Sequence, residues 1–84
     1  MAEKILLIDD ELNNLAVLQA RLRANDFEVF TCDDPLRGIE LSQRLEPDLI
    51  LLDVNMPQMS GFEVCRRIKG DFSTANVPVV MLTC

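Results

Sequence analysis

The sequence predicts an α/β fold, a parallel sheet with helices on both faces. Four short strand-like runs alternate with three segments of helical period along 84 residues. Two of those runs, 4–8 and 49–52, are continuously apolar, as strands covered on both faces are, and each ends in aspartate. Leu, Ile and Val number 25 and Phe adds 4, enough for one core, so residues 1–84 are read as one compact domain.

Lys4, Ile5, Leu6, Leu7 and Ile8 form the first strand, bounded by Asp9 and Asp10. From Leu12 the period changes: Leu12, Leu15, Leu18 and Leu22 recur at helical spacing until Asn25 and Asp26 close the pattern. Residues 28–31 make a second strand. Asp34 then caps a helix that starts at Pro35, with Leu36, Ile39 and Leu45 as its expected buried side and Pro47 as its stop. The run 49–52 mirrors the first strand and ends at Asp53. Residues 54–61 carry Asn, Pro and Gly and read as a loop, and Ser60 to Glu63 matches a capping box before Phe62, Cys65 and Ile68. Residues 77–83 are the fourth strand, with Pro78 tolerated near its start.

Composition removes several function classes. Eight Lys and Arg against fourteen Asp and Glu leave a net charge of −6, which repels a nucleic-acid backbone. No apolar run reaches the ~18 residues of a membrane span, and Met1-Ala2-Glu3-Lys4 lacks the pattern of a secretory signal, so a cytoplasmic location is expected. Cys32, Cys65 and Cys84 are odd in number, widely spaced and unaccompanied by His, which indicates free thiols rather than a disulfide framework or a zinc site.

Parallel strands present their carboxyl ends together, so if the first and third strands are neighbours, Asp9, Asp10 and Asp53 share one pocket. Two unit charges ~5 Å apart repel by about 3 kcal/mol at an effective dielectric of ~20. A cation or a proton has to compensate. Oxygen-only donors without His or thiolate select Mg²⁺ or Mn²⁺ over Zn²⁺. A carboxylate beside such an ion can attack phosphorus and form an acyl phosphate, and Asp53, alone at the end of a strand, suits that role better than the paired Asp9 and Asp10. Asn55 could complete the ion's shell through its main-chain carbonyl, and Thr83 stands where a hydroxyl could reach the phosphoryl group. The plainer alternative is that Asp9 and Asp10 cap a helix, Asp53 ends a strand, and Thr83 is a β-branched strand residue.

At these residues the chain resembles the receiver domains of bacterial two-component response regulators. The resemblance is carried by Ile5 to Glu11, by Leu49 to Gly61 with its D-x-x-M-P-x-M-x-G string, and by Val77 to Thr83. It implies a flavodoxin-like doubly wound sheet of strand order 2-1-3-4, with a fifth strand and the last two helices missing. It implies Asp53 as phosphoacceptor, Asp9, Asp10, Asp53 and the main-chain carbonyl of Asn55 as ligands of Mg²⁺ or Mn²⁺, and Thr83 as the switch hydroxyl. Met56, Pro57 and Gly61 shape the loop. The implied partners are a sensor histidine kinase or phosphotransfer protein, and an output domain of the same parent chain. The wording of residues 62–69 is most similar to receivers that begin diguanylate cyclase regulators.

Receivers normally continue through a strand carrying a Lys that meets the phosphoryl group. Lys4 and Lys69, the only lysines here, are expected too far away to replace it. The residue after the Thr is usually small, and here it is Cys84. The leading expectation is a phosphorylation switch, without an external substrate of its own. An aspartyl-phosphate phosphatase would want an acid where Asn55 stands, and a nonphosphorylated receiver-like dimerisation module would not need the intact acids. A polypeptide that ended at Cys84 would expose strand four at an edge and is expected to form dimers or swapped oligomers.

Overall fold

Seven elements alternate along the chain: β1 (Lys4–Ile8), α1 (Leu12–Ala24), β2 (Glu28–Cys32), α2 (Pro35–Leu45), β3 (Leu49–Asp53), α3 (Gly61–Gly70) and β4 (Val79–Leu82). They are seen in a computed structural model that describes residues 2–82. All strand pairs are parallel and the order is β2-β1-β3-β4, a flavodoxin-like sheet as expected. The chain moves outward from β1 to β2, then returns across β1 to β3. The carboxyl ends of β1 and β3 therefore flank the switch point, where such sheets bind ligands.

Alternation along β1 and β3 divides the core. Leu6, Ile8, Ile50 and Leu52 face α2 and α3 together with Val64 and Ile68, all fully buried. Ile5, Leu7 and Val29 face the other way, against Leu15 of α1. Each such Leu or Ile is worth about 1.5–3 kcal/mol of apolar burial. β1 is closed on both faces, whereas β3 alternates between buried Ile50 and Leu52 and half-buried Leu49, Leu51 and Asp53. The expectation of a strand covered on both faces thus holds fully for β1 and for one side of β3. β4 lies at an edge of the described sheet with Val80 exposed, and it starts at Val79 rather than Val77 because Pro78 has no N–H to give the ladder.

The helix ends are set by local chemistry. Asp34 accepts from the N–H groups of Leu36 and Arg37, with Pro35 in the first turn, as expected. Ser60 accepts from the N–H of Glu63, but the Glu63 carboxylate turns to Arg66 and Arg67 instead of returning to Ser60. Only half of the expected capping box forms. Glu11 caps α1 by accepting from the Asn13 N–H, so neither Asp9 nor Asp10 is its cap.

Three apolar residues expected on buried helix faces are instead exposed: Leu12, Leu36 and Phe62. For Leu36 and Phe62 the cause is close approach of the helix to the sheet. The contact line of α2 runs through Pro35, Gly38 and Ser42, and that of α3 through Gly61, Val64 and Ile68. A Cβ on Gly38 would lie 2.7 Å from Cδ1 of Ile8, so any side chain at that position would have to displace the buried Ile8 side chain. Small residues take the contact and Leu36 and Phe62 are turned about 100° away from it. Leu12 stands outside the stripe of Leu15, Leu18 and Leu22 at the very start of α1.

Candidate functional site

The register of β1 against β3 pairs Ile8 with Leu52, so the next residues, Asp9 and Asp53, leave the sheet side by side. Asp9 still donates its N–H to the carbonyl of Cys32 at 3.0 Å, which fixes the height at which its side chain emerges. One carboxylate oxygen from each of Asp9, Asp10 and Asp53 lies within 4.8 Å of the other two. Asp9 is buried, Asp53 half-buried and Asp10 exposed, which makes a cluster open on one side.

Hydrogen bonds order two of the acids. The Oδ1 of Asp9 accepts the Glu11 N–H at 2.9 Å and its Oδ2 accepts Nδ2 of Asn14 at 3.4 Å. The Oδ1 of Asp53 accepts the Asn55 N–H at 3.3 Å. Burial pushes the Asp53 carboxyl above its ordinary value, the Asn55 N–H opposes the rise, and the charge of Asp9 and the carboxyl of Asp10 add to it. Among the described residues no Lys or Arg makes an ion pair with these acids. An oxygen-only, uncompensated donor set fits a hard divalent cation.

The loop after β3 is shaped by Met56 and Gly61. Met56 is buried in the core beneath it and Pro57 is exposed at its surface. Gly61 donates its N–H to the Val54 carbonyl at 2.8 Å, closing the loop against the end of β3. The side chain of Asn55 is exposed at the rim. Thr83, expected as the switch hydroxyl, lies outside the described residues.

Both lysines serve the opposite edge of the sheet. The Nζ of Lys4 donates to the carbonyl of Leu45 at 3.2 Å, and that of Lys69 donates to the carbonyls of Ala75 and Val77 ahead of β4. Cys32 and Cys65 are free thiols, and burial pushes the Cys32 thiol up. Asn14 was not among the residues expected at the site. An amide in the first turn after an acid pair was the available signal, but its partner is defined only once α1 is folded against β1.

A family model described as the response regulator receiver domain matches residues 5–84. The chain belongs to the receiver domain family. It is 45% identical over 83 residues to the response regulator PleD of Caulobacter vibrioides, covering 99% of this chain and 18% of that protein. It is 39% identical over 80 residues to the DNA-binding dual master transcriptional regulator RpaA of Synechocystis, covering 95% of this chain and 33% of the relative. The chain therefore spans a third or less of these two proteins. Among solved structures, the N-terminal domain of a response regulator receiver protein from Methanoculleus marisnigri superposes with a TM-score of 0.92 at 35% identity, over 95% of this chain and 65% of that one. The receiver domain of the sensor histidine kinase PA1611 from Pseudomonas aeruginosa, solved with magnesium coordinated in its active site cleft, gives 0.93 at 29% identity, over 99% and 68%. No helix among the described residues is long and apolar enough to cross a membrane.

Proposed function

We propose that this receiver domain is a Mg²⁺-dependent phosphoacceptor, with Asp53 as the residue phosphorylated by a sensor histidine kinase or phosphotransfer protein. The observation that carries the reading is the convergence of Asp9, Asp10 and Asp53 within 4.8 Å at the switch point of the sheet. Asp9, Asp10, Asp53 and the main-chain carbonyl of Asn55 would hold Mg²⁺ or Mn²⁺. The chemistry gained from that ion is neutralisation of charge on the phosphoryl oxygens.

The remaining steps belong to the chain. A carboxylate oxygen of Asp53 attacks the phosphorus of a phosphohistidine, the P–N bond breaks, and the histidine nitrogen keeps the bonding electron pair as an acyl phosphate forms. The Asn55 N–H orients the attacking carboxylate through its 3.3 Å bond to Oδ1. Buried Asp9 stays fixed beside it while the exposed side of Asp10 leaves the mouth open to the donor. Thr83 is the hydroxyl assigned to meet the phosphoryl group.

The reading makes the domain a cytoplasmic switch acting on an output domain of its parent chain, not an enzyme with an external substrate. A diguanylate cyclase is the output suggested by residues 62–69. Asn55 stands where an aspartyl-phosphate phosphatase would want its second acid, which disfavours that alternative.

Incubation of the full-length parent with its kinase, or with a small acyl phosphate donor and Mg²⁺, tests the proposal. Base-labile label should appear in the wild type and be absent in Asp53→Asn. Equal label in Asp53→Asn would move the nucleophile elsewhere, and no label with any donor would favour a nonphosphorylated dimerisation module.

A further inference from the structure

Among the described residues, Asp9 alone of the three acids has a protein donor on each carboxylate oxygen: the main-chain N–H of Glu11 on Oδ1 and the side-chain amide of Asn14 on Oδ2. Any residue at position 11 other than proline supplies the first. The second depends on the side chain at 14. Asp9 is 3% exposed, so little water reaches it and these two donors are its hydrogen-bond partners among the described residues.

We infer that Asn14 is a positioning residue for cation binding, holding the buried carboxylate of Asp9 in the rotamer that faces Asp10 and Asp53. The inference rests on the phosphoacceptor reading. The residue type is informative. An amide donates a hydrogen bond without bringing charge, so it orients Asp9 and leaves its full negative charge for the ion. A Lys or Arg at 14 would pair with Asp9 and compete with the ion, and an Asp or Glu would add repulsion.

Helix chemistry separates this role from a structural one. Asn14 is exposed in the first turn of α1, where Asn is a poorer helix former than Ala. Replacing it by Ala trades that gain in propensity against a donor lost from a buried carboxylate, so the metal-free domain should change little in stability while its affinity for the cation falls. A residue retained for the fold alone would lose stability and keep its affinity.

The experiment is calorimetric titration of the domain with Mn²⁺ and Mg²⁺, in the wild type, Asn14→Ala and Asn13→Ala, with thermal melts of each protein in chelator. Asn13 is an exposed neighbour on the same turn whose side chain makes no bond to Asp9. Expected is a Kd raised about three- to tenfold in Asn14→Ala, below the roughly 10–100-fold usual for loss of a hydrogen bond to a metal ligand because this one is long, at 3.4 Å. The metal-free melting temperature should shift by only a few degrees in either direction, and Asn13→Ala should bind within about twofold of the wild type. Unaltered affinity in Asn14→Ala, or an equal loss in Asn13→Ala, overturns the positioning role and leaves the phosphoacceptor reading standing. Absence of Mn²⁺ and Mg²⁺ binding in the wild type overturns both.

Discussion

Gly61 packs against the main chain of Asp53 so closely that a Cβ placed on it would overlap the Asp53 carbonyl oxygen and lie 2.8 Å from Cα of Val54. The start of α3 therefore sits directly on the end of β3, and the placing of the Asp53 main chain depends on the lack of a side chain at position 61. Backbone on backbone cannot relax as a side-chain tip can. Gly61→Ala is expected to destabilise the domain by about 1–3 kcal/mol and to weaken Mg²⁺ binding together with it. Thermal melts and a metal titration check this, and a variant with wild-type melting temperature and affinity would show that the loop can yield.

Asp53 is expected to cost stability when no cation is present. Its folded-state pKa is raised, chiefly by burial, so the charged form is disfavoured by folding; the penalty is full above the folded value and fades as pH falls through it. Asp53→Asn should then melt about 2–5 °C higher than the wild type at pH 7 in chelator, a modest rise because solvent screens a half-open site. The gap should narrow on acidification and on addition of Mg²⁺ to the wild type. A lower melting temperature for the Asn variant would contradict the argument that burial and the neighbouring acids disfavour the charged carboxyl.

Glu63 shows the opposite sign. Hydrogen bonds from Arg66 and Arg67 hold its carboxyl at about 2, below the ordinary value of 4.5. Its contribution is present above 4.5 and is lost as pH falls toward 2. The wild type and Glu63→Gln should accordingly converge in stability across that interval, and added salt should shrink their difference at neutral pH because the cluster is exposed. Denaturant melts at pH 7, 4 and 2 follow the convergence.

Thr74 closes the carboxyl end of α3. Its hydroxyl donates to the carbonyl of Ile68 at 2.6 Å, and the residue is 1% exposed. Thr74→Val keeps the shape and removes the donor, and a loss of about 1–2 kcal/mol in urea unfolding is expected. The Asp71 N–H also donates to the Ile68 carbonyl, at 3.3 Å, and a neutral substitution would mean that this bond alone satisfies it.

Strand and helix identities were legible because they depend on local pattern. The apolar runs before Asp9 and Asp53, the Asp34-Pro35 start and the stop before Pro47 each appear in the structure where local chemistry puts them. Helix faces were less legible. Apolar character points to burial at Leu36 and Phe62, yet Gly38 and Gly61 occupy the contact because the helices approach the sheet too closely for a large residue there.

The sequence by itself determined which acids could act together, since two apolar strands ending in Asp9-Asp10 and Asp53 must deliver them to one edge if the strands run parallel and adjacent. Only the tertiary structure decided how differently those acids are held. Burial, the Glu11 and Asn14 donors and the Asn55 turn distinguish a pinned Asp9 from an exposed Asp10 and a half-buried Asp53 with a raised pKa. Solvation and hydrogen bonding at a carboxylate depend on what three-dimensional packing brings beside it, and neither α1 nor the loop after β3 has a position relative to these acids until the sheet has formed.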